Sequence, residues 1–577
     1  MPSRSGRVHV ATTTRHYKGR LYQTHLLRRT FRVGNQVKHE TLGNISHLPS
    51  GLIEIIRRSL AGEGFVSATD TFQVLRSLPH GHVEAVLGTM RKLELDVLIS
   101  SQPCRERQLV LAMIAERLLE PCSKLATTRL WHNTTLAEEL SVQDASEDEL
   151  YEALDWLLLR QAHMEKKLVK RHLPAGAEVL YDISSSYYEG RCCSLARYGH
   201  DRDGKRGRPI IVYGVLADAQ GRPVAVEVHP GNRSDSTTVP AQVEKLRQHF
   251  GLTRLVLVGD RGMLTNVQIE NLKQHPELGW ISALKGGAIR ELVETGALQL
   301  SLFDQQNLAE IHSSLYPEER LVACFNPLLA EERKRKREEL LLATEQELKP
   351  IAKEVARRKK KILSKEEIGL KVGKVVNRFK VAKHFSVTIE EGKFCWERRE
   401  DRIREEAMLD GVYVIRTSES KKALSAPDAV RHYKNLASVE RAFRCLKGMD
   451  IRVRPIYHRT EDHVRAHIFL CLLAYYVEWH MREALAPLLF QDEELLQNRQ
   501  RRDPVAPAQP SDSVQAKKQL RQTVDGIPLQ SFHTLLEALA TRCRNTCQVR
   551  STPEAATFRQ ITQATPLQAK AFQLLGL

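Results

Sequence analysis

The hydrophobic pattern divides the chain into stretches of different period. Over residues 7–46 apolar and polar positions alternate between turn signals such as "HYKGRL" and "RVGNQ", which predicts a small antiparallel meander, followed by a short helix near Leu52–Leu60. Residues 80–173 space their apolar side chains by three and four in "HVEAVLGTMRKLELDVLI", "RERQLVLAMIAERLLE" and "SEDELYEALDWLLLRQAHMEKKLVKRHL", the signature of amphipathic helices. The last begins at Ser146, three residues before Glu149, a capping-box pattern.

From residue 177 the period shortens. "AEVLYDISSSYYEG" reads as a strand, "RPIIVYGVLADAQGRPVAVEVHPGN" as a hairpin turning at "DAQG", "TTVPAQVEKLRQHFG" as a helix and "RLVLVGD" as another strand. "LTNVQIENLKQH" then reads as helix and "LGWISALK" as strand. Antiparallel strands followed by helix-linked ones make a mixed α/β sheet, with near-continuous apolar strands such as "RLVLV" at its centre. Residues 286–408 break this order with short β-like runs and a long basic helical region, and the sheet resumes at Asp410–Ser418, before a helix from about Pro427. An insertion interrupting one domain explains the break. Its charge-rich helices fit a solvated coiled hairpin and a DNA-facing surface equally well.

The expected organisation is therefore a small β-rich region over 1–65, a helical domain over 66–175, a mixed α/β core in two parts over 176–285 and 409–485, the α+β insertion over 286–408, and a polar Pro-rich linker with a short helical tail over 486–577. The linker reading rests on "NRQRRDPVAPAQPSDSVQAKKQ", a composition unlike that of a packed segment.

Composition adds a partner. The 577 residues carry 87 Lys and Arg against 70 Asp and Glu, a formal charge of +17, and nucleic acid is the polyanion such a surface suits. Basic character in residues 1–65 fits DNA contact, although a solvated edge explains it as well. The start has no apolar run of the signal-peptide kind. The longest apolar run, Ile468–Trp479, is about half a bilayer span and reads as core helix. The ten Cys lack paired CxxC spacing, so reduced thiols in a cytoplasmic protein are expected. No phosphate-binding GxxxxGK[ST] loop and no GxSxG elbow is present, which argues against an ATP-driven motor and a serine hydrolase.

Two acids stand where chemistry is carried. Asp182 in "VLYDIS" and Asp260 in "LVLVGD" sit in or at the end of apolar strands, and if those strands are neighbours the carboxylates converge. Two close buried carboxylates require a proton or a cation between them, and Mg²⁺ is what hard oxygen ligands select. A third acid is available in "PDAVRHYKNLASVERAFRCLKGMD", where Tyr433, Glu440 and Lys447 recur every seven residues and Arg444 shares their face. A helix places all of them on one stripe, which suits a phosphate-facing surface with one metal ligand. Taken singly, each acid is also an ordinary turn, cap or surface residue. His463 and His467 lie four apart without HExxH, so packing or phosphate contact is the expectation there, not zinc.

Together "VLYDIS", "LVGDRG" and "YKNLASVERAFRCLKGMDIRVRPIYHRTEDHVRAHIFLCLLAYYVEW" resemble the DDE transposases of bacterial insertion sequences, in particular the insertion-sequence 4 superfamily and its insertion-sequence 1634 branch. The resemblance implies an RNase H-like catalytic domain interrupted between the second Asp and the Glu, where this chain has a gap of 180 residues against 78 between Asp182 and Asp260. It implies that Asp182, Asp260 and Glu440 bind two Mg²⁺ ions, with Mn²⁺ able to substitute, one activating water or a DNA 3′-hydroxyl and the other stabilising the leaving oxygen. Tyr433, Arg444 and Lys447 would hold the phosphate backbone. The family's motif around its Glu has an Arg where this chain has Leu436; Arg441 or Arg444 is the nearest substitute.

The implied function is cleavage of an insertion sequence's ends and their joining to target DNA, by a homodimer or higher oligomer, in the bacterial cytoplasm at the nucleoid. Residues 1–175 would contribute end recognition. Two competitors are an RNase H-fold endonuclease without strand transfer and a catalytically silent DNA-binding protein.

Overall fold

In a computed structural model of the chain, the residues described are 6–65, 72–252, 254–304, 307–359, 362–494, 498, 503–506, 509–523, 525–549 and 557–577. They divide into two units, one of Met1–Leu78 with Arg544–Thr562, the other of Pro79–Cys543 with Gln563–Leu577.

In the first unit, β1 (Arg7–Tyr17), β2 (Arg20–Val33) and β3 (Gln36–Asn44) form an antiparallel meander in that order. The helix Ser50–Leu60 buries Ile53, and its Arg57 donates to Thr12 Oγ1 at 3.0 Å. A second three-stranded sheet pairs β4 (Phe72–Pro79) with the distant strands Cys543–Val549 and Thr557–Ile561. Local periodicity could not reveal this pairing, because its members come from opposite ends of the chain.

The second unit is mixed α/β, built on an eight-stranded sheet. Its first strands are β5 (Glu178–Tyr187), β6 (Ile210–Asp218), β7 (Pro223–Pro230), β8 (Leu255–Gly259) and β9 (Leu278–Ala283). Their order with the intervening helices is the one read from the sequence. The hairpin between β6 and β7 turns at Gly221, whose φ is 83°, while the Asp218 carboxylate accepts from the Gln220 and Arg222 amides, both at 2.9 Å. Next come β10 (Leu308–Ile311), β11 (Arg320–Phe325), the separate hairpin of β12 (Phe385–Glu390) and β13 (Lys393–Arg398), and β14 (Val412–Thr417). The sheet order is β10-β11-β14-β9-β8-β5-β6-β7. β8 runs parallel to both β5 and β9, and the other pairs are antiparallel. The sheet therefore resumes at β14, as the pattern predicts, but β10 and β11 belong to it although they fall within the segment read as an insertion.

The rest of that segment forms a lobe with a core of its own. The helices Pro327–Arg357 and Lys365–Phe379 bury Leu348, Val355, Ile368 and Val372 against one another and against Phe394 of β13. Much of the lobe's charge is used internally: Arg398 pairs with Glu338 and Glu345 at 2.9 and 2.7 Å, and Arg337 with Asp410 at 2.5 Å.

The helical region packs around the run read as core helix. The helix Glu461–Ala484 lies against the helices Arg105–Leu119 and Glu147–Leu158 and against β7, with Ile468 to Val477 buried throughout. Being apolar on every side, it can only be an interior helix. The capping box of Ser146 and Glu149 is present. The long helix read from there divides in two, Glu147–Leu158 and Gln161–His172.

Part of the segment read as an unfolded linker is packed. Val505 is fully buried, and the Lys434 ammonium donates to the carbonyls of Pro504, Val505 and Ala506, the last two at 3.2 Å. The helix Asp512–Leu520 follows, capped by Ser511. Polar composition was misleading because this stretch is held by its backbone carbonyls, which composition does not register. The helices Phe532–Ala540 and Pro566–Leu575 close the chain against the helix Gly81–Lys92.

Candidate active site

The register of two parallel strands answers the question raised by the paired acids. Tyr181 of β5 lies opposite Gly259 of β8, so Asp182 and Asp260 each follow by one residue on adjacent strands. Asp182 is inside β5 and half-buried, whereas Asp260 lies just past the end of β8 and is exposed.

Asp260 is also a turn residue. Its carbonyl accepts from the Met263 and Leu264 amides at 2.9 and 3.0 Å, and its Oδ2 accepts from the Gly262 amide at 3.3 Å. The other carboxylate oxygen, Oδ1, accepts from the Tyr433 hydroxyl at 3.2 Å. Gly259 permits the turn, since a Cβ there would lie 2.9 Å from Leu264 Cγ. Burial and the neighbouring Asp260 charge push the Tyr433 hydroxyl above its ordinary range, so it remains a donor.

Glu440 arrives on the helix Leu436–Lys447, which packs along β5. Val439, Ala442, Phe443 and Leu446 form its buried face, and the Phe443 ring meets Tyr213 of β6 edge-on at 5.9 Å. Glu440 is left exposed. Its charge is felt at Asp182: burial first, then the Asp260 and Glu440 carboxylates, raise the Asp182 carboxyl to about 7, with Arg202 opposing the shift.

The stripe read as continuous is interrupted by one residue. Tyr433 lies in the last turn of the helix Ala426–Lys434, Asn435 intervenes, and Glu440, Arg444 and Lys447 lie on the next helix. Leu436, at the position of the missing Arg, is buried and serves the core. Arg441 and Arg444 are exposed. Lys447 faces a partner of its own: its ammonium lies 2.9 Å from Asp203 Oδ1, which Arg454 also meets at 2.6 Å, and the Asp203 side chain is only 1% exposed. Burial lowers the Lys447 pKa while Asp203 opposes that shift. Lys447 is thus a buried ion-pair member in this structure, not a cation presented to solvent.

Sequence reasoning missed the segment that supplies these partners. Asp203, and Arg202 with both guanidinium contacts to Asp235 at 2.6 Å, come from the connection between β5 and β6. Its "RYGHDRDGKRGR" run was the available signal, a dense charge pattern directly after the first acid-bearing strand. The two histidines stand as expected: His467 Nε2 lies 3.0 Å from the Val453 carbonyl and His463 Nε2 3.2 Å from Asp155.

Among the described residues, the Cys, His, Asp and Glu group whose ligand atoms all lie within 4.8 Å of one another is Cys445, Asp450 and Glu478. Arg482 already occupies it, at 2.5 Å from Glu478 and 3.1 Å from Asp450. Asp182, Asp260 and Glu440 are not closed into so tight a cage.

Residues 191–477 match the family model described as the transposase DDE domain. The matched span contains Asp260, Tyr433 and Glu440 and begins nine residues after Asp182. No curated protein matches the chain. One similar solved structure is the cryo-EM structure of the piggyBac transposase synaptic complex with hairpin DNA, 10% identical over 80% of this chain and 76% of that one, with a TM-score of 0.31, a likeness too loose to bear on the site. No described helix is long and apolar enough to cross a membrane.

Proposed function

Because this chain is a DDE-type transposase, carrying the transposase DDE domain over residues 191–477, we propose that Asp182, Asp260 and Glu440 form its catalytic centre and that it cleaves the ends of an insertion sequence and joins them to target DNA. The observation that carries the reading is the parallel pairing of β5 with β8, which sets the two aspartates side by side beneath the helix bearing Glu440. The order β7-β6-β5-β8-β9, antiparallel then parallel, is that of an RNase H-like core. Membership of the insertion-sequence 4 superfamily and its 1634 branch is part of the same proposal.

The donor set fits divalent metal. All three side chains are hard oxygen ligands, and the Asp182 carboxyl is raised by burial first and then by the other two charges, a conflict that a cation relieves. Their spacing, wider than a closed cage, suits Mg²⁺, which keeps waters and shares substrate phosphate. When bound, two such ions supply charge neutralisation at the attacking and leaving oxygens of an in-line displacement.

The chain's own groups do the positioning. Tyr433 orients Asp260 through its hydroxyl, and Asp182 gives up its proton before it can ligate. Arg444, exposed one turn beyond Glu440, is the cation for the DNA backbone. Lys447 acts at one remove: with Arg454 it fixes Asp203 and so the connection that carries Arg202. In the first step water forms a bond to phosphorus at the element's end and the 3′-oxygen leaves with a proton. In the second, that 3′-hydroxyl attacks a phosphorus of target DNA while the target's own 3′-oxygen departs. A homodimer or larger assembly would hold two ends together, and residues 1–175 would contribute to their recognition.

The test is cleavage of a labelled duplex bearing the gene's own flanking ends, with Mg²⁺ or Mn²⁺, by wild type and by Asp260→Asn. Metal-dependent cutting at the boundary that the substitution abolishes is the expected result. End binding without any cleavage by wild type would sink the catalytic reading; cleavage without joining would leave an endonuclease.

A further inference from the structure

The longest stretch of the chain without an acid lies far from the three acids in sequence. Residues 6–39 hold eight Lys or Arg and no Asp or Glu, against a formal +17 for all 577 residues, and the first acid, Glu40 of β3, lies 3.8 Å from Arg29, outside the hairpin tip. The meander β1–β3 displays this charge on a distinctive shape. β3 stops pairing with β2 at Leu26 opposite Asn44, so the five register pairs from Thr13↔Thr24 to Tyr17↔Arg20 continue as a two-stranded ribbon, about 17 Å long at about 3.4 Å per residue. Lys18 and Gly19, with φ of 50° and 74°, close it with the two-residue turn whose twist matches paired strands.

Every residue from Thr13 to Gln23 is exposed. The helix Ser50–Leu60 reaches Thr12 through Arg57 at the ribbon's root. Tyr17, Leu21 and Tyr22 are 55%, 55% and 52% exposed, which is costly for an unsupported hairpin. The pairs Arg15↔Tyr22 and Tyr17↔Arg20 put guanidinium groups and phenol rings alternately on one face, while Thr14, His16 and Gln23 offer uncharged hydrogen-bonding groups on the other. A two-stranded ribbon is one of the shapes that the major groove of B-DNA admits. An anionic membrane would also attract the cations, but the tip is Lys18-Gly19 between Tyr17 and Arg20, and Leu21 is the one exposed aliphatic side chain beside it, too little apolar area to hold a ribbon at a bilayer surface.

We propose that the ribbon Thr13–Gln23 seats in the major groove of duplex DNA, with Arg15, Lys18 and Arg20 on phosphates and base edges and Tyr17 and Tyr22 against the groove wall. This rests on the reading that duplex DNA is the substrate, and it moves the first recognition element from the helical region to the meander.

The test uses the full-length protein, fluorescence anisotropy on the flanking-end duplex and an unrelated duplex, and a range of KCl concentrations. Replacing Arg15, Lys18 and Arg20 together by Ala should lower the slope of log affinity against log salt by about 0.9 for each of the three that meets a phosphate, up to about 2.7, with the thermal melt unchanged. Ultraviolet crosslinking of wild type to a bromodeoxyuridine-substituted duplex should label a peptide within residues 13–23, and decides the matter if the triple variant misfolds. Wild-type affinity and slope in a folded triple variant, or crosslinks only elsewhere, would overturn the ribbon even if cleavage is normal. Ribbon-dependent binding without cleavage under any divalent metal would leave the ribbon standing and remove the catalytic reading, and absence of duplex binding by wild type would remove both.

Discussion

The sheet that carries the acids and the meander that carries the cations treat charge in opposite ways. β5, β6, β8 and β9 are buried along most of their length, so a carboxylate among them is expensive unless something offsets it. The Asp182 carboxyl registers that expense as a pKa near 7. In the ribbon of β1 and β2 the cations Arg15 and Arg20 stand exposed, where water solvates them at little cost. The comparison teaches that the same residue class carries different information by location: a strand acid inside a packed sheet calls for a cation, whereas a strand cation at a solvated edge becomes informative only when no acid accompanies it.

The comparison can be broken most sharply at the acids. Asp182→Asn and Asp260→Asn should each lower end cleavage by about 10³-fold or more, the scale of removing a main transition-state interaction, with the thermal melt retained; a variant cleaving within a few-fold of wild type would remove that residue from the site. Next is the ion pair between Lys447 and Asp203. Lys447→Met leaves Asp203 with Arg454 alone and should destabilise the fold by about 3 kcal/mol, the lower end for breaking a buried ion pair, measured by urea unfolding. A loss under about 1 kcal/mol would mean that Arg454 suffices.

A smaller effect sharpens the electrostatics. The raised Asp182 pKa means that the folded state holds this proton more tightly than the unfolded chain does. Its contribution to stability is therefore complete below the ordinary aspartate range and is lost as pH rises through about 7. In metal-free buffer with a chelator, wild type should lose melting temperature over that window while Asp182→Asn does not. Metal-dependent cleavage should rise over the same window, because ligation needs the deprotonated acid; parallel melting curves for the two proteins would refute the assignment. The smallest effect belongs to the ribbon, where Tyr17→Ser and Tyr22→Ser should change unfolding free energy by no more than about 0.5 kcal/mol, as exposed positions do.

Much of the second unit was legible because its period is local. The apolar run at Leu255–Val258, the capping box at Ser146 and the apolar run of Ile468–Trp479 each specify an element without reference to distant residues. The partner of Lys447 was illegible for the converse reason. On a helical stripe the lysine looks like a surface cation, and only the connection from β5 to β6, more than two hundred residues earlier in the chain, brings Asp203 to it. Val505 was misread because Pro-rich composition describes side chains, while the segment is held by backbone carbonyls meeting Lys434.

The sequence by itself determined the alternation of strands and helices, the interior helix and the placement of acids at apolar strands. Periodicity and burial are properties of neighbouring residues, so they survive in one dimension. Tertiary structure alone decided that β8 lies beside β5, bringing together aspartates 78 residues apart, that β10 and β11 extend the sheet, and that β4 pairs with strands from the far end of the chain. Pairing is chosen by which apolar faces and unpaired backbone groups can be satisfied together, a competition among all segments that no single stretch of sequence contains.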